Sequence, residues 1–309
     1  MYKIILLLLC MLSVYGLPLD SSQMDAPWHV HLNISNLRCG GSLYKGKYII
    51  TAAHCFDAFP DGHFDGPRAN YSQIHIYIGE WKLGQDPDCN DDDSNEICDN
   101  VIKKSPASIK IHEKYDKNNR DTKHNHDIAI ITIKSPPRES DIVGNVLLSD
   151  DECDDDFKEQ DLKISGFGET SPSVQAVIRK RMDIKVFEHK KCLKDFQNKV
   201  YNPAHHICGA GKNGLSTCKG DSGGGAVSQI TDDNDEVKTY LQGIVVFGSD
   251  VCGDGKPTGL LKVSCFTDWI NGVIDPKSVK QKSKVIETTT LITSTSTQFE
   301  EDDEDVEDF

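Results

Sequence analysis

Cysteine is the feature that most restricts how this 309-residue chain can fold. There are 11 of them, and the first, Cys10, sits in an apolar leader. The chain opens MYKIILLLLCMLSVYG: Lys3, then an apolar run from Ile4 to Leu12, then Val14 and Gly16 at the small-residue positions that precede a signal-peptidase cut. A membrane span needs about 20 apolar residues. This run is shorter, and no other segment reaches that length. Residues 1–16 read as a cleaved signal peptide and the rest as a secreted protein, the other reading being an uncleaved anchor. The remaining cysteines are Cys39, Cys55, Cys89, Cys98, Cys153, Cys192, Cys208, Cys218, Cys252 and Cys265. An even set in an oxidising compartment reads as a disulfide framework. The close CxxC spacing that metal sites use is absent.

Between Pro27 and Trp269 the chain runs in short β-branched segments broken by Gly, Pro, Asn and Asp. Tyr48–Thr51, Ile74–Ile78, Ile128–Ile133, Leu162–Ser165 and Leu241–Phe247 are examples. Such spacing predicts an all-β sandwich or barrel. Phe266–Ile274 carries apolar residues at helical spacing and predicts a short terminal helix. Residues 276–309 change character: lysines, a Thr/Ser run, then FEEDDEDVEDF with eight acidic residues. This tail is expected to be disordered, either as a solvated tail or as an interaction tail that can carry O-glycans. Those eight acidic residues amount to about half of the net charge of −15. An acidic balance argues against nucleic acid or anionic membrane as partner. Asn33-Ile-Ser and Asn70-Tyr-Ser are glycosylation sequons.

The chemistry-bearing stretch is CKGDSGGG, Cys218–Gly225. Glycines flanking Ser222 let the backbone turn sharply and bring N–H groups to a reacting carbonyl. Alone, such a stretch is as often a simple turn. TAAHC, with His54, and HDIAII, with Asp127, add a base and its orienting carboxylate in the order His, Asp, Ser. With CGGSL at Cys39–Leu43, ISGFG at Ile164–Gly168 and DWI at Asp268–Ile270, the chain resembles the trypsin/chymotrypsin-like serine proteases from about Pro27 to Ile274.

The resemblance implies two packed antiparallel six-stranded β-barrels, about 27–140 and 141–265, within a protease domain of 17–275 closed by a C-terminal helix at 266–275. It implies Ser222 as nucleophile, His54 as general base, Asp127 as the carboxylate that orients it, and the N–H groups of Gly220 and Ser222 as the oxyanion hole. It pairs Cys39–Cys55, Cys192–Cys208, Cys218–Cys252 and Cys153–Cys265. Cys89–Cys98, in a loop after Gly-Glu-Trp, is similar to an extra bridge of arthropod clip-domain proteases, whose clip domain this chain lacks room for. Glu80 and the acidic loop after it resemble a structural calcium site; catalysis itself requires no cofactor.

Ser216 stands where trypsins carry the pocket-base aspartate, with Gly248 and either Thr258 or Gly259 completing the pocket. A neutral apolar P1 residue is therefore expected, in protein or peptide substrates, and macromolecular protease inhibitors are expected partners. Three departures bear on activity. Val246 replaces a serine that donates to the triad carboxylate. Gly225 replaces a proline, which should loosen the backbone. No Ile-Val-Gly-Gly terminus exists to pair with Asp221, so either Leu17, freed by signal cleavage, supplies the amine or Asp221 stays unpaired. The expected function is a secreted serine endopeptidase; the alternative is a catalytically weak homologue that acts by binding in a proteolytic cascade.

Overall fold

The computed structural model describes residues 19–276, except 21, 23, 65–69, 90–97, 120, 156, 158–159, 172, 197–199, 212–214, 250 and 253. The expected signal peptide, Leu17 and the tail from 277 onward lie outside the described residues.

In the N-terminal half the strands are β1 (Leu19–Asp20), β2 (His29–Ile34), β3 (Leu37–Tyr44), β4 (Tyr48–Thr51), β5 (Ile74–Ile78), β6 (Asp88–Cys89), β7 (Cys98–Asp99), β8 (Ile102–Lys104), β9 (Pro106–Ile111) and β10 (Ala129–Ile133). The main sheet runs β8-β5-β2-β3-β4-β10-β9. Only Ser105 separates β8 from β9, so the two act as one bent strand. Its first part pairs with β5 and its second with β10. That strand joins both edges and gives the six-stranded count. The residues explain the strands: in β5, Ile74, Ile76 and Ile78 face inward, while His75 and Tyr77 alternate outward.

The C-terminal half holds β11 (Leu147–Leu148), β12 (Asp161–Gly166), β13 (Glu169–Ser171), β14 (Val174–Gln175), β15 (Lys180–Val186), α1 (His189–Asp195), β16 (His206–Gly211), β17 (Gly225–Thr231), β18 (Val237–Phe247) and β19 (Thr258–Lys262). The order β15-β12-β17-β18-β19-β16 closes through a β15–β16 pairing into a six-stranded barrel. Met182, Ile184 and Val186 of β15 point into its core beside Leu162, Ile164 and Leu260, with charged residues alternating outward. The short β1 adds to β15, an arrangement the sequence did not indicate. From Phe266 the chain forms a separate unit whose helix α2 spans Thr267–Ile274, as the periodicity predicted.

Bridges join Cys39–Cys55, Cys153–Cys265, Cys192–Cys208 and Cys218–Cys252. Cys98 is also disulfide-bonded, and the β6–β7 register sets it opposite Cys89.

Candidate active site

Asp127 ends a 3-10 turn, Lys123–His126, just before β10, and is fully buried. His54 lies in a second 3-10 turn, Ala53–Phe56, just after β4. The two are joined twice. The His54 backbone N–H donates to Asp127 Oδ1 at 2.8 Å, and His54 Nδ1 meets Oδ2 at 2.7 Å. A proton on Nδ1 leaves Nε2 free to act as a base. Burial alone would lower the pKa of His54, but the Asp127 carboxylate outweighs it and holds the imidazole above its ordinary value. Burial alone would raise Asp127, but the facing imidazoles hold it well below the usual carboxylate range.

A third donor reaches the same carboxylate. His124 Nδ1 lies 2.8 Å from Asp127 Oδ2. Sequence reading missed this contact. A 3-10 turn has three residues per turn, so residues three apart share a face. The signal that could have revealed it is the string HNHD, with His124 three residues before the aspartate. Among the described residues the contacts to the Asp127 carboxylate come from His54 and His124, and none from residue 246.

Ser222 is clamped between the two halves. Its carbonyl accepts the Gly40 N–H at 2.7 Å, and the Gly40 carbonyl accepts the Thr51 hydroxyl at 2.7 Å. Gly223 has φ of 80°, and a Cβ there would strike the Thr51 hydroxyl. The loop therefore sits on the end of β4, three residues before His54. No hydrogen bond joins Ser222 Oγ to His54 among the described residues. Such bonds are commonly long without substrate and tighten when it binds. Gly225 is not loose, contrary to expectation. It pairs with Ile244 in the sheet, and a Cβ there would collide with Ser42 and Leu241.

The Lys219 carbonyl accepts the Glu169 N–H at 2.9 Å. A trans peptide directs its N–H opposite to its carbonyl, so the Gly220 N–H faces away from Glu169, with Gly220 at φ of 100°. Neither Gly220 N–H nor Ser222 N–H bonds to any described residue. Both are available to an oxyanion.

Asp221 fixes this loop from behind. Its carboxylate accepts the Gly168 and Cys218 N–H groups, each at 2.9 Å. Burial pushes its pKa up to about 6 against these two donors. No cation faces it among the described residues. Leu17, the expected source of an amine, lies outside them. From Asp20 back to Leu19 the partner on β15 moves from Lys180 to Arg181, hence from opposite Gly166 to opposite Ser165. That direction leads away from Gly168.

At the position expected to form the pocket base, Ser216 is fully buried and its Oγ has no partner. The Thr258 hydroxyl accepts the Thr217 N–H at 3.0 Å and lies 3.0 Å from the Thr217 hydroxyl. Gly259 instead faces the Phe247 ring, which a Cβ would strike. Of the two residues left open by the sequence, Thr258 is therefore the one bonded to Thr217. A Cβ on Gly248 would make only ordinary contact with Thr217, 3.8 Å from its carbonyl oxygen.

Glu80 is buried, its Oε1 has no partner, and burial beside Asp88 and Asp86 pushes its pKa up to about 8. Both oxygens of Asp88 are engaged by the Trp81 and Lys82 N–H groups, and those of Asp86 by the Val101 N–H and Lys103. The buried Arg179 guanidinium donates to the Glu80 backbone carbonyl. Calcium takes six to eight oxygens. Among the described residues the unpartnered Glu80 Oε1 is an oxygen that could serve such a site. Residues 90–97 lie outside the description. Asn70 is exposed, as a glycan needs, whereas Asn33 is half-buried in β2, paired on both sides.

The family model described as Trypsin matches residues 19–270. The chain is similar to CLIP domain-containing serine protease B10 of Anopheles gambiae, 28% identical over 256 residues, 80% of this chain and 66% of that protein. It thus spans less than two thirds of that relative's length. It is also similar to phenoloxidase-activating factor 3 of Holotrichia diomphalia, 30% identical over 267 residues, 81% of this chain and 70% of that one. Among solved structures, neuropsin, a serine protease expressed in the limbic system of mouse brain, superposes with a TM-score of 0.64 at 25% identity. The overlap covers 83% of this chain and 98% of neuropsin.

Proposed function

Because this chain belongs to the trypsin family of serine proteases, we propose that it is a secreted endopeptidase working through Ser222, His54 and Asp127. The observation that carries the reading is the double hydrogen bond between His54 and the buried Asp127. In the proposed cycle Ser222 Oγ attacks the scissile carbonyl carbon while His54 Nε2 takes the hydroxyl proton. The carbonyl oxygen becomes an oxyanion in front of the Gly220 and Ser222 N–H groups. One such donor is typically worth ~100–1,000-fold in rate. The tetrahedral species collapses, the C–N bond breaks, and His54 gives its proton to the leaving amine. Water, activated by His54, then attacks the acyl ester, releases the acid and returns the proton to Ser222. Asp127 stays ionised throughout and stabilises the imidazolium.

The pocket supports a neutral P1 residue. Ser216, Thr217 and Thr258 supply hydroxyls and no charge. A Lys or Arg side chain would be buried unpaired there, at a cost of several kcal/mol. Thr258 narrows the base, so medium aliphatic residues fit with least strain. Substrates are proteins, in keeping with relatives named as a processing enzyme and an activating factor, and macromolecular inhibitors that occupy the same pocket are the natural antagonists. Secretion rests on the leader; no helix among the described residues is long and apolar enough to cross a membrane. A peptide panel varied at P1 tests the specificity, with Ser222→Ala as control. Ser222-dependent cleavage after Val, Leu or Phe is expected; equally fast cleavage after Arg would contradict it.

One observation favours a second reading, a homologue that binds without cleaving. Asp221 has no amine partner among the described residues. Against it stand the two backbone donors that already hold this carboxylate and the free N–H groups in front of it.

A further inference from the structure

We propose that His124 is a positioning residue for the triad, taking over the task of the serine that Val246 replaces. The inference rests on the protease reading above and extends it to a residue outside the triad. A buried carboxylate with an unfilled lone pair is costly, and hydrogen bonds to its charged form both stabilise it and fix its orientation. Asp127 is fully buried. Its Oδ1 is filled by the His54 N–H, and its Oδ2 is shared by two imidazole N–H groups, from His54 at 2.7 Å and His124 at 2.8 Å. Val246 has no donor to offer. The second imidazole does what a hydroxyl would do: it holds the plane of the carboxylate so that the remaining lone pair of Oδ2 faces His54.

His124 is itself held from several sides. Its backbone carbonyl lies 2.8 Å from His206 Nε2. Lys123, beside it, pairs with Asp57 at 2.8 Å, and Asn202 bonds to Asn125 at 3.4 Å. Its ring packs against Phe247 at 5.2 Å, centroid to centroid, and edge-on to His54 at 6.0 Å. Phe247 directly follows Val246, so the residue that lost the donor and the residue that braces the new one are adjacent in β18. A histidine that merely filled space would not need its Nδ1 aimed at the buried carboxylate that orients His54.

The test uses His124→Phe, which keeps a ring against Phe247 and removes the donor. Two readouts are taken. In proton NMR of the full chain, the wild type is expected to show two low-field imidazole N–H resonances, one for each histidine on Asp127. His124→Phe should remove one and leave the other, and this readout does not depend on turnover. In kinetics, kcat should fall about ten- to a hundredfold with KM little changed, the loss expected for one bond to a charged group. Val246→Ser should then recover rate in the His124→Phe background and gain little in the wild type. An unchanged low-field spectrum, an unchanged kcat, or an equal Val246→Ser gain in both backgrounds would overturn the inference. A wild type with two low-field protons but no Ser222-dependent turnover would sink the protease reading and leave the His124 contact standing.

Discussion

At the scale of single residues, charge and protons decide the behaviour of the site. His54 must be neutral to act as a base, and Asp127 raises its pKa above the ordinary 6.5. A raised pKa keeps the imidazole protonated to higher pH. The acid limb of kcat/KM should therefore fall above pH 6.5, with activity lost as the pH drops through it. A pH–rate profile with a neutral peptide checks this. Asp127→Asn keeps the shape of the carboxylate but offers an N–H to His54, which imposes the wrong tautomer. A drop in kcat of roughly 10⁴-fold is expected, read by active-site-normalised kinetics. His54, Asp127 and Ser222 were legible because each sits in a distinctive string. His124 was not, since its role comes from a turn geometry and not from a motif. Arg179 was equally hidden: nothing local marks it as the buried guanidinium bonded to Glu80, 99 residues away.

At the scale of elements, backbone donors hold the nucleophile loop among the described residues. The Cys218–Ser222 loop is fixed at its rear by Asp221, and Asp221 by the Gly168 and Cys218 N–H groups. Gly166 and Gly168 flank that carboxylate so closely that a Cβ on either would collide with it. Gly168→Ala should displace Asp221 and disorder the oxyanion hole. A loss of about 100–1,000-fold in kcat, with the His54–Asp127 pair intact by NMR, is the expected result. Most strands could be read from alternation: Ile74–Ile78 matches its predicted bounds, and Leu162–Ser165 grew by one residue at each end. The short β1 could not, because two residues carry no period and owe their pairing to β15. The choice between Thr258 and Gly259 was also beyond the sequence. It depends on which face of β19 meets Thr217, and that is set by the register with β18.

At the scale of the whole molecule, cysteine pairing set most of the frame in advance. The longest bridge, Cys153–Cys265, closes 112 residues. Replacing both cysteines by Ala should cost up to about 5 kcal/mol in chemical denaturation on the chain-entropy model, with little effect on KM. The barrels bring His54 and Asp127 from one half and Ser222 from the other to a single junction, which is why a triad scattered across the sequence can act as one unit. The claim that it does so is tested most directly by labelling native protein with a fluorophosphonate and mapping the adduct by mass spectrometry. A single adduct on Ser222, absent in Ser222→Ala and in heat-denatured protein, is the predicted result. Native protein that stays unlabelled while a control protease reacts would contradict the account.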